Sequence, residues 1–228
     1  MTAGDWATAA DLATALGTLV LAIATFAAIR SSNASARIAQ RSLLIGLRPV
    51  LSMTRRDDPL QKVNYGDRKW VHIPPASAVA EIGGGDGSLG PADKAVYLAL
   101  GLRNVGNGMA VLHGWRFYPE WYRSREHAPV EEFRPQTRDL YVPPSDTGFW
   151  QGAFRDPADP QYDEARKAIA ENQPWTVELL YGDAEGGQLA ITRFQAFPRD
   201  SAAGDPETSG SWIASMSRYW NIDHPDPR

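Results

Sequence analysis

LATALGTLVLAIATFAAI, residues 12–29, is a run of 18 residues without a charged side chain. As an α-helix it would rise about 27 Å, close to the thickness of the hydrocarbon core of a bilayer. A signal peptide would carry a basic segment before such a run, whereas Asp5 precedes this one. A buried helix of a soluble protein is usually shorter. We therefore predict that segment 1–30 contains a transmembrane helix, with residues 12–29 in the lipid bilayer.

Arginines follow this helix but do not precede it. Residues 30–56 contain no acidic residue and six arginines, namely Arg30, Arg37, Arg41, Arg48, Arg55 and Arg56. Basic residues that flank a membrane helix tend to remain on the cytoplasmic side. We therefore predict a single-pass protein of the cell membrane, with its N-terminus outside and the rest of the chain cytoplasmic.

Residues 31–48 continue the helical pattern, because the first proline is Pro49. Only Ile38 and Ile45 keep a heptad spacing, so the segment is typical of a solvated, arginine-containing stalk rather than a coiled coil. Within the membrane, an apolar row and a row of small residues could each pack against another helix, and a homodimer through this helix is a further hypothesis. The two rows are Leu12, Leu16, Leu19, Ile23 and Phe26, and Thr14, Thr18 and Ala22.

After Pro49 the pattern becomes that of β-strands. Alternating residues in segment 96–102, Val96, Leu98, Leu100 and Leu102, indicate a half-buried strand. The sequence NVGNG at 104–108 is typical of a turn, and 110–118 of the returning strand of a hairpin. Segments 175–181 and 189–197 predict a second hairpin around GDAEGG at 182–187.

Other elements complete a predicted domain over residues 49–228. Further strands are expected at 50–54, 70–73, 79–82 and 149–154. A short helix near 160–171 is expected to be capped by Asp159, with Pro160 in its first position. The stretches 83–87 and 200–211 predict loops. Short strands at this spacing predict a mainly β fold, a β-sandwich of immunoglobulin-like type.

Composition excludes several classes of function. The chain has no cysteine, which excludes disulfides, zinc–thiolate sites and thiol catalysis. The six arginines and the two acids Asp5 and Asp11 are the only charged residues before residue 57. Of the 23 basic and 27 acidic residues, 17 and 25 therefore remain in 57–228, a formal charge of −8. An acidic domain argues against nucleic acid as a partner, because phosphate binding needs a basic face.

No polar cluster has the spacing of a catalytic or metal motif. The four histidines are scattered, and the glycines at 83–87 lack the lysine and the serine or threonine of a phosphate-binding loop. We therefore expect no catalytic residue, metal or cofactor. We expect Arg193 to pair with a carboxylate such as Asp183 or Asp146. The best candidates for a binding surface are Trp150, Arg155, Asp183, Glu185 and Arg193.

Aromatic residues are the other feature of the sequence that could indicate a binding surface. Most of the seven tryptophans after the membrane helix should belong to the core. Trp121 and Tyr122 follow a predicted strand in irregular, charged sequence, and Tyr219 and Trp220 lie near the C-terminus. Tryptophan, tyrosine and arginine dominate the energetics of protein interfaces.

Four stretches resemble a group of uncharacterised bacterial proteins that have an N-terminal membrane helix and a small β domain. They are LGLRNVGNGMAVLHGW at 100–115, DLYVPPSDTGFWQGAFRD at 139–156, LLYGDAEGGQLAITRF at 179–194 and RYWNIDHPDPR at 218–228. This chain departs from the pattern of the group at Ser145, Leu189 and Tyr219, where glycine, arginine and histidine are usual. The resemblance implies the architecture and the membrane location, and it implies no activity.

These observations predict a membrane-tethered binding or scaffold module without catalytic activity, which contacts the bilayer through residues 12–29 and an unknown protein through its β domain. The alternative is a membrane-anchored hydrolase or ligand sensor with a polar site near the 182–187 hairpin. An enzyme needs a concave pocket in which polar groups converge. A binding module should instead expose aromatic side chains on a flat surface or a sheet edge.

Overall fold

The computed structural model describes residues 3–84, 95–199 and 211–223. The chain divides into two compact units, the first ending at Gly46 and the second beginning at Leu47. The predicted loop tips at 85–87 and 200–210 lie outside the described residues.

The first unit is a single helix, α1 (Ala3–Gly46), which is long and apolar enough to cross a membrane. The helix continues without interruption into the predicted stalk of residues 31–48 and ends within it, at Gly46. The hydroxyls of Thr14, Thr18 and Thr25 donate hydrogen bonds of 2.8–2.9 Å to the carbonyl oxygens four residues earlier. Such internal bonds satisfy polar side chains that would otherwise be unsatisfied in hydrocarbon.

The second unit is mainly β, as the alternating pattern predicts. Among its described residues there are eleven strands and one α-helix. In chain order these are β1 (Leu51–Met53), β2 (Gln61–Asn64), β3 (Trp70–Ile73), β4 (Ser77–Gly83), β5 (Ala95–Asn104), β6 (Ala110–Tyr118), β7 (Arg134–Val142), β8 (Thr147–Phe154), α2 (Tyr162–Ala170), β9 (Trp175–Gly182), β10 (Leu189–Pro198) and β11 (Ser211–Asn221).

Nine of these strands form one curled antiparallel sheet, with the order β1-β5-β4-β11-β10-β9-β6-β7 and with β8 on the other edge of β5. Side chains of β7 reach β8 across the gap between the two ends of the sheet. Gln136 Nε2 donates to the carbonyl oxygen of Gln151 at 3.0 Å, and Arg138 Nη2 donates to Gln151 Oε1 at 2.8 Å. A single curled sheet does not confirm the two separate sheets of an immunoglobulin-like sandwich.

The turn after β5 does not form the predicted hairpin. β5 pairs with β4 and β8, whereas β6 pairs with β7 and β9. The buried side chain of Asn104 explains the change of direction. Its Oδ1 accepts the backbone N–H groups of Val50 and Gly106, and its Nδ2 donates to the carbonyl oxygens of Gly108 and Val142. These four bonds hold the turn as a corner between two regions of the sheet.

The strand predicted to be half-buried, β5, is buried on both faces. Leu98 and Leu100 point into the main core, as the alternation predicts. Tyr97 and Ala99, on the opposite face, lie beneath the two-stranded sheet formed by β2 and β3. The small sheet contributes Val63, Val71 and Ile73 to a second apolar cluster, and Tyr65, just after β2, also belongs to it.

The second predicted hairpin is confirmed, because β9 and β10 pair along their whole length. The strands expected around 50–54, 70–73, 79–82 and 149–154 are present as β1, β3, β4 and β8. Helix α2 begins at Tyr162, later than predicted, and Asp159 is not its cap. Asp159 lies in the preceding turn, where it accepts the N–H of Gln161 at 2.9 Å and forms an ion pair with Arg134.

Candidate functional site

The five residues predicted to form a binding surface lie in separate places. Trp150 is fully buried in the main core. Arg155 follows the end of β8, and Asp183 and Glu185 belong to the turn between β9 and β10. Arg193 lies within β10 and is also buried. Arg155 and Arg193 bind different partners, so the polar residues do not converge on one site.

Asp183 stabilises its own turn. Its Oδ1 accepts the backbone N–H groups of Gly187 at 2.8 Å and Gln188 at 3.2 Å. A bulge in β6 also brings His113 to this hairpin, where a Cβ atom added to Gly182 would lie 3.0 Å from the histidine Nε2. The sequence separates His113 from the hairpin by almost seventy positions, so only the strand pairing reveals this proximity.

Arg193 does pair with a carboxylate, but the partner is Glu178 rather than Asp183 or Asp146. The two residues stand opposite each other in β10 and β9. Nε and Nη2 of Arg193 donate to Glu178 Oε1 at 2.8 and 2.5 Å. The side chains are 1% and 0% exposed. In the sequence, Glu178 is the one charged residue of a strand that is otherwise apolar or neutral, and this was the signal for a buried partner.

This ion pair holds the 119–133 loop, which connects β6 to β7, against the outer face of the sheet. Glu178 Oε2 accepts the backbone N–H of Ala128 at 3.0 Å and the hydroxyl of Tyr118 at 3.2 Å. Arg193 donates to the carbonyl oxygens of Ser124 and Glu126 at 2.5 and 2.6 Å. Burial, together with the negative charge of Glu178, raises the pKa of the Tyr118 hydroxyl.

Two of the aromatic residues singled out in the sequence belong to this network. The guanidinium carbon of Arg193 lies 4.7 Å from the ring centroid of Tyr122 and 4.9 Å from that of Trp220. Trp220 is buried, and the ring of His127 contacts it edge-on. The network is therefore internal and fixes the shape of the loop.

Trp121, in the same loop, points outward and is 45% exposed. Its ring meets the ring of Phe197 edge-on at 5.2 Å, and the guanidinium carbon of Arg123 lies 3.6 Å from its centroid. The backbone on both sides is fixed by Thr176. The Thr176 Oγ1 accepts the N–H of Tyr122 at 3.1 Å and donates to the carbonyl oxygen of Glu120 at 2.8 Å.

The apolar surface continues from Phe197 across the sheet. Phe197 stands opposite Ile213 in β11, whose side chain is half exposed. Ile213 also lines an open groove of about 380 Å³. We call this surface the Trp121 patch; it comprises Trp121, Arg123, Phe197 and the groove residues Arg56, Pro74, Pro75, Ala76, Arg199 and Ile213.

Three arginines border the patch, and their charges are not neutralised within the part of the chain that the structure describes. Arg56, Arg123 and Arg199 form no ion pair there, and Arg199 donates to the neutral Oγ of Ser77 at 3.2 Å. An exposed tryptophan beside arginines has the composition of an interface hot spot. The patch is positive on a domain whose overall charge is negative.

Within residues 3–84, 95–199 and 211–223, no group of three histidine, aspartate or glutamate side chains is placed to hold a metal ion. No protein-family model matches the chain, and comparisons with curated proteins and with solved structures give no match. A proposal for the function must therefore rest on the geometry of this chain.

Proposed function

We propose that this protein is a membrane-tethered binding module. Its β domain lies on the cytoplasmic side and uses the Trp121 patch to bind an acidic, apolar segment of another protein, without catalysis. The observation that carries this proposal is the exposed Trp121, which is held between Phe197 and Arg123 by a loop with a fixed backbone.

The tether is α1, whose apolar residues 12–29 match the thickness of a bilayer. The orientation rests on Arg30, Arg37 and Arg41, which follow the apolar run on the same helix. Arg48 contributes less to the positive charge that follows the membrane helix. It belongs to the second unit, where Asp223 pairs with it at 2.5 Å and balances its charge.

A protein segment fits the patch because it can supply a counterpart for the tryptophan, for the arginines and for the apolar groove residues. An aromatic anchor that is already ordered loses little conformational entropy when it binds. Arginine prefers carboxylates, which it can hold through two parallel hydrogen bonds. The three arginines, which form no ion pair within the described residues, therefore favour aspartate and glutamate in the partner. Ile213, Pro74 and Pro75 favour apolar side chains between these acids.

The alternative, a hydrolase or sensor at the 182–187 hairpin, has weaker support. Asp183 uses one carboxylate oxygen to stabilise its turn, and Arg193 is engaged by Glu178 inside the domain. His113 is close to Gly182, but within the described residues it forms no hydrogen bond with a carboxylate or a hydroxyl. A nucleophile beside a base, the arrangement that covalent hydrolysis needs, is not assembled by these groups.

Photo-crosslinking tests the proposal. The photoreactive residue p-benzoylphenylalanine is placed at Trp121 in the full chain, in cell membranes. The matched position is Trp70, which is 57% exposed on β3, outside the patch. We expect a protein crosslinked from position 121 and not from position 70, with the crosslinked peptide rich in acidic and apolar residues.

Two outcomes would overturn the proposal. Crosslinking of lipid rather than protein from position 121 would mean that the patch rests on the membrane surface. Equal crosslinking from positions 121 and 70 would mean that the patch has no specific partner. When the partner is known, Arg123→Glu should abolish the crosslink, and a lysine in place of the acid of the partner should restore it.

A further inference from the structure

A small cavity lies in the gap between β7 and β8, apart from the Trp121 patch. Its volume is about 150 Å³, and its lining includes Tyr65, Trp115, Arg134, Thr137, Gln151 and Arg155. A cavity of this size has room for about five water molecules at the volume each takes in the liquid. Of the residues predicted from the sequence, Arg155 lines the cavity, and a Cβ atom added to the lining residue Gly152 would meet the ring of Trp150.

Two residues that line the cavity, Gln151 and Arg155, each have a hydrogen-bond donor without an acceptor among the described residues. Gln151 is almost fully buried, and its Oε1 accepts a bond from Arg138. Arginine can only donate, so the orientation of the Gln151 amide is fixed and its Nε2 is a free donor among the described residues. Arg155 donates from Nη2 to the carbonyl oxygen of Tyr65 at 3.1 Å and from Nε to Asp67 at 3.5 Å. Its Nη1 has no acceptor within the described chain.

Two of the lining arginines are paired with carboxylates, whereas Arg138, which binds the lining residue Gln151, is not. Arg134 is paired with Asp159, and Arg155 with Asp67. Arg138 donates to the carbonyl oxygen of Asn64 and to Gln151 Oε1, which are neutral. Of these three guanidinium groups, Arg138 is the one that lacks a carboxylate within the described residues.

Most of the remaining lining residues are apolar, the exceptions being Thr137 and Arg134. Trp115 and Tyr65 contribute aromatic rings, and Gly152 contributes bare backbone. Arg134 also lines the cavity, but Asp159 and Gln161 occupy four of its five N–H groups. Its guanidinium carbon lies 5.5 Å from the ring centroid of Trp115.

We propose that this cavity binds a small monocarboxylate. Its carboxylate accepts hydrogen bonds from Arg155 Nη1 and Gln151 Nε2, and its body lies against Trp115 and Tyr65. A single negative charge balances the guanidinium of Arg138, which binds Gln151 beside the cavity, whereas a phosphate group carries about −1.5 to −2 charges at neutral pH. The volume limits the ligand to few atoms beyond its carboxylate. This site is independent of the Trp121 patch.

Calorimetric titration of the full chain in detergent micelles tests the proposal with acetate, benzoate, benzamide and inorganic phosphate. We expect at least one of the two carboxylates to bind saturably. Benzamide, which is neutral but otherwise matches benzoate in shape, and phosphate should bind at least about tenfold more weakly, a difference of about 1.4 kcal/mol. The absence of saturable binding by both carboxylates would overturn the proposal. Equal or tighter binding of benzamide or phosphate would overturn the assignment of a monocarboxylate.

Variants connect the binding to the cavity. Arg155→Met and Gln151→Leu should each weaken carboxylate binding at least about tenfold. Arg166→Met, at an exposed position on α2, and Trp121→Ala, in the patch, should leave it unchanged. If Arg155→Met does not fold, Arg155→Lys keeps the charge and loses the forked geometry, and it should weaken binding as well. Loss of binding in Arg166→Met to the same degree, or full binding in the Arg155 and Gln151 variants, would place the carboxylate elsewhere.

Discussion

Arg193 and Glu178 stand opposite each other in β10 and β9 and form an ion pair from which water is excluded. The pair also binds the backbone of the 119–133 loop at Ser124, Glu126 and Ala128. That loop carries Trp121 to the surface. A buried polar network thus positions the residue that we assign to partner binding.

The first prediction concerns this ion pair. Arg193→Ala leaves the Glu178 carboxylate buried without its partner, and we expect the free energy of unfolding to fall by about 3–5 kcal/mol. Urea unfolding of the purified chain, followed by tryptophan fluorescence, measures the loss. Arg218 stands opposite Arg193 in β11 and is partly exposed, so Arg218→Ala is the matched control, with an expected change within about 0.5 kcal/mol. Equal decreases in the free energy of unfolding in the two variants would contradict a specific stabilising role for the buried pair.

The second prediction concerns the dependence of stability on pH. The hydrogen bond from Arg103 holds the pKa of the buried Asp58 carboxyl below its ordinary value of 3.8. A carboxyl whose pKa is lower in the folded state stabilises the fold above the unfolded pKa, and this contribution disappears as the pH falls through the folded pKa. Asp58→Asn should therefore be less stable than the natural sequence at neutral pH, and the difference should narrow below about pH 4.

Urea midpoints measured from neutral to acid pH provide the test. Asp57→Asn, at the exposed neighbouring position, should follow the natural sequence at every pH. A difference between Asp58→Asn and the natural sequence that stays constant down to the lowest pH would contradict the assigned role of the Arg103 hydrogen bond.

The third prediction concerns the orientation of the membrane helix. A reporter that is active only in the cytoplasm, fused after Arg228, should be active, because three arginines follow the apolar run and none precedes it. Replacement of Arg30, Arg37 and Arg41 by glutamate should weaken or invert this orientation. Replacement of Arg125, Arg166 and Arg218, which belong to the β domain, by glutamate should leave the orientation unchanged. Activity of a periplasm-only reporter at the same position would overturn the orientation.

The fourth prediction concerns the main core. Leu100 is fully buried in β5, so Leu100→Asp places an unpaired charge among apolar side chains and should cost several kcal/mol. We expect a fragment beginning at Leu47 to give a circular dichroism spectrum dominated by strands, and Leu100→Asp to abolish its cooperative melting. Val105→Asp, at an exposed position just after the strand, should melt close to the natural fragment. A mainly helical spectrum would contradict the fold.

Local patterns predicted the elements whose neighbours are close in sequence. The uncharged run of residues 12–29 specified the long helix, and the turn at 182–187 joined two strands that do pair. The alternation in β5 identified its inward residues correctly. It missed the burial of Tyr97, because the covering strands β2 and β3 are short and lie more than twenty residues earlier in the chain.

Features built from distant segments could not be predicted in this way. Asn104 turns the chain through bonds to Val50 and Val142, which are 54 and 38 residues away. β7 contains Pro135 and several charged residues, so its sequence lacks the alternation of a typical strand. The Trp121 patch combines residues from five parts of the chain, and none of these parts alone carries the pattern of a binding site.

The most direct test of the proposed function measures the affinity of the crosslinked partner for three forms of the full chain. These are the natural sequence, Trp121→Ala and Trp70→Ala, the latter removing a more exposed tryptophan outside the patch. Truncation of a hot-spot tryptophan costs at least about 2 kcal/mol, so Trp121→Ala should weaken binding about thirtyfold or more, and Trp70→Ala should leave it within about twofold. Equal affinities for all three forms would contradict the assignment of the Trp121 patch as the binding surface.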